Sequence, residues 1–259
     1  MPTLRRNGVN IYYEMHGAGP TLLLTHGYSA TSKMWAGQIG PLSKKYRVVV
    51  WDMRGHGQTD YPEDQALYSE AETVADMAML LDVASSREAI IAGLSLGGYM
   101  SLAFQLAHPE RTRALMLFDT GPGYRNDEAR EGWNKTANSR AEKFEKEGLS
   151  FMRPRGEVDP AQHRDGTGLA KAARGMLAQK DARIINSLPN IKAPTLIIVG
   201  ARDEPYLGAT EYMASKIPGA RKIVIPDAGH SANIDQPAAF NAAVETFLTD
   251  LEAASAKGS

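Results

Sequence analysis

Gly93-Leu94-Ser95-Leu96-Gly97 sets a serine between two glycines, directly after the apolar run Glu88 to Ala92 and before a helix-like stretch, Gly98 to Ala107, that stops ahead of Pro109. A hydroxyl on so sharp a strand-to-helix turn stands clear of the sheet. Any side chain in place of the glycines would strike the neighbouring strand and helix. The helix N-terminus favours negative charge gathering beside the serine, which is what attack on a carbonyl requires. The plainer reading is a serine that caps a helix in a glycine-rich turn.

A serine nucleophile needs a base, and six histidines are available. His16 closes the opening hairpin, His108 stands before Pro109 where a helix ends, and His163 lies in a charged loop, so surface or structural roles fit all three. His26 and His56 follow strands, and their ring nitrogens suit bonds to backbone that shape loops. His230, in Asp227-Ala228-Gly229-His230-Ser231, falls after the last strand-like run and before the last helix. That position brings it to the sheet edge that carries Ser95. Asp203, in Gly200-Ala201-Arg202-Asp203-Glu204-Pro205, follows the run Thr195 to Val199 and can orient the imidazole from behind. Asp119, at the end of the run Ala114 to Phe118, competes for that role, and Glu204 does so more weakly.

These residues need a frame. Asn7-Gly8 between Thr3 to Arg6 and Val9 to Met15 reads as a hairpin with a tight turn. The runs Thr21 to Thr25, Arg47 to Trp51, Glu88 to Ala92, Ala114 to Phe118, Thr195 to Val199 and Lys222 to Ile225 are apolar throughout, as in strands covered on both faces. Helical stretches separate them. Ser69 and Glu72 have capping-box spacing ahead of an apolar face of Val74, Ala78 and Leu81. Alternating strand and helix predicts an α/β fold with a mostly parallel sheet. The rhythm breaks between about Tyr124 and Asn190, so residues 1–123 and 191–259 are expected to form the core and 124–190 a helical cap. Within the cap, Arg153 to Gly168 is rich in Pro, Gly and charge, as in a mobile loop.

The 259-residue chain is long enough for one large core. A formal charge of -1 gives no electrostatic reason to seek nucleic acid or an anionic membrane, so the expected partner is a small molecule. With no cysteine there is no disulfide, thiolate ligand or thiol nucleophile. Met1 to Gly8 lacks the apolar run of a secretory signal and no stretch is long enough to span a bilayer, so a cytoplasmic protein is expected, its oligomeric state open.

Ser95, Asp203 and His230 follow one another in the order Ser, Asp, His, and with the turn motif the chain resembles the α/β-hydrolases over essentially its whole length. Thr25-His26-Gly27-Tyr28 is similar to that family's His-Gly turn, which implies that the backbone N–H groups of Tyr28 and Leu96 form an oxyanion hole. Asp52-Met53-Arg54-Gly55-His56-Gly57 resembles the family's Asp-x-Arg-Gly-x-Gly loop, a mainly structural element. Gly93 to Gly98 and Ala228 to Phe240 look most like 3-oxoadipate enol-lactonases and small esterases, although Leu96 stands where methionine is common. Haloalkane dehalogenases and epoxide hydrolases carry aspartate where Ser95 stands, and carbon–carbon hydrolases typically have tryptophan where this chain has Ser231. The resemblance implies hydrolysis of a carboxylic ester or lactone through a Ser95 acyl-enzyme, with neither metal nor organic cofactor. The same triad also suits carbon–carbon hydrolysis or perhydrolysis, and the fold alone suits a small-molecule receptor. Trp133 and Met152 from the cap, with Trp35 from below, are candidates for an apolar acyl pocket or for plain core.

Overall fold

The computed structural model describes residues 3–257, so Met1 and Pro2, part of the segment read for a targeting signal, lie outside the described residues. The chain opens with strands β1 (Thr3–Arg6) and β2 (Val9–His16), joined by Asn7 and Gly8 at φ 49° and 77°. Two consecutive left-handed residues make the tight turn that Asn-Gly favours. Strands β3 (Thr21–Thr25), β4 (Arg47–Trp51), β5 (Ala89–Leu94), β6 (Thr112–Phe118), β7 (Thr195–Gly200) and β8 (Arg221–Ile225) follow. The helices are α1 (Ala36–Leu42), α2 (Glu70–Val83), α3 (Leu96–Ala107), α4 (Asp127–Glu147), α5 (Gly166–Ala172), α6 (Arg183–Ser187), α7 (Glu204–Lys216), α8 (Ala232–Asp235) and α9 (Pro237–Lys257).

The eight strands form one sheet in the order β1-β2-β4-β3-β5-β6-β7-β8, antiparallel where β2 meets β1 and β4, and parallel from β4 to β8. Along each central strand side chains alternate between two cores. Leu23, Val49, Ile91, Leu117 and Ile197 face α2 and α3, while Leu22, Val48, Ile90, Met116 and Ile198 face α9. Both faces are dry, which is why these strands read as continuous apolar runs. Phe240, Val244, Phe247, Leu248 and Leu251 recur at helical spacing on α9 to close one side. Among the described residues no helix is long and apolar enough to cross a membrane.

Register fixes where the chemistry can be. Thr25 pairs with Gly93, Leu94 with Phe118, and Gly200 with Ile225, so the strands end together at one edge. Tyr28, Ser95, Asp119, Asp203 and His230 all follow such ends.

Between β6 and β7 the described chain holds helices α4, α5 and α6, short turns and one isolated bridge, Arg155 to Val158, but no strand of the sheet. Two local expectations change. The stretch read as loop through Gly168 turns helical at Gly166, because Asp165 accepts the Thr167 N–H at 2.8 Å and caps the helix. The capping box at α2 is half made. Ser69 Oγ accepts the Glu72 N–H at 3.2 Å, but the Glu72 carboxylate turns to Arg6, Asn7 and Arg54. An ion network with the first strand outcompetes the local bond back to Ser69.

Candidate active site

Ser95 sits at φ 54° and ψ -117° between β5 and α3, a backbone strain that surrounding contacts must hold. Its N–H donates to the Phe118 carbonyl at 2.9 Å, and its own carbonyl accepts Thr120 Oγ1 at 2.6 Å and the Tyr99 N–H at 3.1 Å. The glycines on either side leave no room for a side chain. A Cβ on Gly93 would overlap the Gly97 carbonyl, and one on Gly97 would overlap the Thr25 oxygen and stand 2.6 Å from that of His26.

His230 Nδ1 pairs with Asp203 Oδ2 at 2.8 Å. Asp203 is 5% exposed, on the turn where β7 becomes α7, and the N–H of Tyr206, one turn on, donates to its carbonyl at 2.9 Å. Burial, the largest influence on the His230 imidazole, pulls its pKa down; the hydrogen bond and charge of Asp203, joined by the charges of Asp119 and Glu157, outweigh it and leave it raised above 6.5. Asp119 takes a different position. Its two carboxylate oxygens accept the N–H groups of Gly200 at 2.8 Å and Ala232 at 3.4 Å, and burial pushes the carboxyl up to about 8. It stands near the pair, within the reach of its charge, while the direct bond to the imidazole belongs to Asp203.

Tyr28 ends the turn after β3 with its hydroxyl donating to the Leu169 carbonyl at 2.8 Å. Among the described residues neither the Tyr28 nor the Leu96 backbone N–H finds a protein acceptor. His26 and His56 behave as loop braces: His26 Nε2 accepts the Met53 N–H at 2.9 Å, and His56 Nε2 accepts that of Ser29 at 3.2 Å. Burial lowers both imidazoles, His26 to about 4, which keeps them neutral acceptors. His163 is buried, with Nδ1 accepting the Gly57 N–H at 3.3 Å and Nε2 bonded to the Ser29 carbonyl at 3.0 Å. It is a structural residue that ties the segment between β6 and β7 to the turns at Ser29 and Gly57. The Asp52 loop is structural too, with Asp52 accepting the N–H groups of Ser32 and Gln58 and Arg54 forking onto Asp76 at 2.7 and 2.8 Å.

One cavity opens at Ser95 and a second at Tyr28. One, of about 320 Å³, is lined by Ser95, Leu96, Trp133, Leu177, Pro205 and Tyr206 among others. The other, of about 660 Å³, reaches Tyr28 and holds Met152. Trp133 and Met152 therefore line cavities, but Trp35 does not. It is fully buried under the sheet against Phe118, where apolar volume and not access decides its place. Three residues escaped sequence reading. Tyr206 stacks on the His230 ring at 4.9 Å between centroids, and burial raises its phenol against a smaller opposing hydrogen bond from Ser95. Thr120 braces the Ser95 carbonyl, and Glu157, from the insertion, accepts the hydroxyl of Ser231 beside the histidine. Tyr206 alone left a trace, lying three residues past Asp203 on the first turn of a helix. Among the described residues no group of three or more His, Asp or Glu side chains could hold a metal ion.

A sheet of this order, with a strained serine turn and a carboxylate-bound histidine at one edge, defines a class of hydrolytic α/β proteins. A profile of the Alpha/beta hydrolase family matches residues 22–243, and the chain belongs to that family. It is similar to 3-oxoadipate enol-lactonase 1 of Acinetobacter baylyi, 28% identical over 95% of this chain and 96% of the relative. It is also similar to a putative 2-succinyl-6-hydroxy-2,4-cyclohexadiene-1-carboxylate synthase of Bacillus subtilis, 25% identical over 90% of this chain and 92% of the relative. Among solved structures, a thermophilic esterase from Thermogutta terrifontis in its malate-bound form superposes with a TM-score of 0.82 at 28% identity, covering 96% of this chain and 97% of that one. These relationships support a hydrolase.

Proposed function

We propose that the protein hydrolyses a carboxylic ester or lactone through a Ser95 acyl-enzyme. The observation that carries this reading is the His230–Asp203 pair at 2.8 Å on the same sheet edge as the Ser95 turn. Neutral His230, its Nδ1–H held by Asp203, takes the Ser95 proton at Nε2 as Oγ attacks the carbonyl carbon. The N–H groups of Tyr28 and Leu96 receive the oxyanion, which is why unpaired donors there matter. Collapse of the tetrahedral intermediate sends the His230 proton to the departing alkoxide. Water, deprotonated by the same histidine, then releases the acid. In this scheme Asp119 holds the Gly200 and Ala232 backbone and does not touch the imidazole, and residues 124–190 act as the cap that shapes the substrate cavity.

The similarity to an enol-lactonase and an esterase supports the substrate class. The relative named a putative synthase motivates a second reading, a reaction other than hydrolysis on the same residues. A panel of short esters and lactones separates the two by multiple-turnover acid release. A serine-directed fluorophosphonate should label the protein once, and not in Ser95→Ala. Stoichiometric labelling of that variant would overturn the assignment.

A further inference from the structure

The larger cavity beside Tyr28 carries a charge pattern that ester hydrolysis alone does not require. Lys135, Arg140, Lys143, Arg153 and Arg155 line it, and no Asp or Glu does. Their concentration does not follow from composition, since the chain as a whole has a formal charge of -1. Along helix α4, Thr136, Ser139, Arg140 and Lys143 follow i, i+3, i+4, i+7 spacing and all four line the cavity.

Among the described residues none of the five cations is in an ion pair with a carboxylate. Arg153 donates to the Ser150 carbonyl at 3.1 Å, and Lys143 lies 5.2 Å from the Phe151 ring centroid. Elsewhere on the insertion the usual neutralisation operates: Arg130 pairs with Asp127 at 2.5 Å and Arg174 with Glu145 at 2.7 Å. Like charges gathered around one concavity repel one another and focus a positive field into it.

The field reaches the reacting centre. Arg140 is close enough for its charge to act on the phenols of Tyr28, on the oxyanion turn, and Tyr206, stacked on His230. The smaller cavity, lined by Ser95 itself, presents Trp133, Leu177 and Pro205. Ser95 thus lines an apolar compartment, while Tyr28 lines a cationic one.

We infer that the substrate is an ester or lactone that carries a carboxylate, which Arg140 and Lys143 receive in the cavity beside Tyr28 while the apolar part occupies the cavity at Ser95. The inference rests on the Ser95 reading for the reaction but not for the binding. A guanidinium and an ammonium offer charge-assisted hydrogen bonds that a neutral ester of the same shape cannot use.

The test separates binding from turnover. Calorimetry on Ser95→Ala uses monomethyl glutarate and its neutral counterpart methyl pentanoate. The carboxylate is expected to bind at least about tenfold more tightly, and Arg140→Gln combined with Lys143→Gln on that background to remove the preference. In the active protein the ratio of kcat/KM for the mono-p-nitrophenyl ester of glutaric acid to that for p-nitrophenyl pentanoate should exceed about ten and collapse in the double variant. Equal binding of the two probes, or a preference that survives both substitutions, overturns the inference whether or not the esters are turned over. Inorganic phosphate displacing monomethyl glutarate at equal concentration overturns the assignment to carboxylate. Failure of hydrolysis with the binding preference intact sinks the reading of Ser95 instead.

Discussion

Two carboxylates stand near His230, and the proposed mechanism gives them different work that a pair of isosteric substitutions can separate. Asp203 bonds Nδ1 at 2.8 Å, so Asp203→Asn places an amide where a carboxylate held the N–H. The amide can donate to Nδ1 and move the ring proton to Nε2, which must be free to accept from Ser95. The expected loss in kcat is on the order of 10³–10⁴, roughly 4–5.5 kcal/mol of transition-state stabilisation. Asp119→Asn keeps an oxygen for the Gly200 N–H and sets an amide against the already long 3.4 Å contact to Ala232, so kcat should fall less than about tenfold, with a local cost of about 1 kcal/mol. Its signature is in folding. A carboxyl raised from 3.8 to about 8 is still protonated in the folded protein where the unfolded chain has ionised, so stability from this group is full at low pH and drains away as pH climbs to about 8. Removing the charge should make Asp119→Asn gain on the wild type between pH 5 and pH 8. Steady-state kinetics on an ester whose chemistry is rate-limiting, with urea midpoints at both pH values, reads all of this. Loss of turnover in Asp119→Asn with most activity retained in Asp203→Asn, both folded by circular dichroism, refutes the assignment. A stability difference that does not move with pH refutes the account of Asp119.

The acid limb of kcat/KM should have its midpoint above 6.5, since only neutral His230 accepts the proton and its pKa is raised; Glu157→Gln, by removing one nearby charge, should move the midpoint down. A midpoint at or below 6.5, or one that ignores Glu157, counts against this electrostatic picture. Gly97→Ala pushes a Cβ onto the carbonyl oxygens of Thr25 and His26, so it should cost about 1–3 kcal/mol of stability and, through a displaced Leu96 N–H, on the order of 10² in kcat. Thermal melts and kinetics check both, and wild-type kcat in that variant would refute the fit argued for the turn.

What could be read from sequence was whatever is local or periodic. The Asn7-Gly8 turn, the doubly covered strands and the glycines around Ser95 each state a backbone requirement within a few residues. Asp203, His230 and Tyr28 were legible one step less directly, as positions just past strand ends that a parallel sheet must bring to one edge. Residues defined by distant partners were not legible. Glu157 meets Ser231 74 positions along the chain, and His163 meets Ser29 134 positions away. Neither approach leaves a period or a turn signal in sequence. Trp35 shows the converse: its size suited a pocket wall or plain core equally, because a buried tryptophan between sheet and helix looks the same in sequence as one beside a ligand.

The wedged serine turn has a consequence for how such a chain can change. Ser95 is held by Phe118 of β6, Thr120 beyond it and the glycine contacts to Thr25 and His26, all outside the run from α4 to α6. The cavity walls at this edge include Trp133, Arg140 and Leu177, all within that run. Heritable variation in one contiguous stretch between two strands can therefore reshape those walls while the Ser95 hydroxyl keeps its coordinates. Where the stretch is tied to the reactive edge, through the Tyr28 hydroxyl on Leu169 and the Ser231 hydroxyl on Glu157, that freedom ends, and a change of diet must leave those two attachments in place.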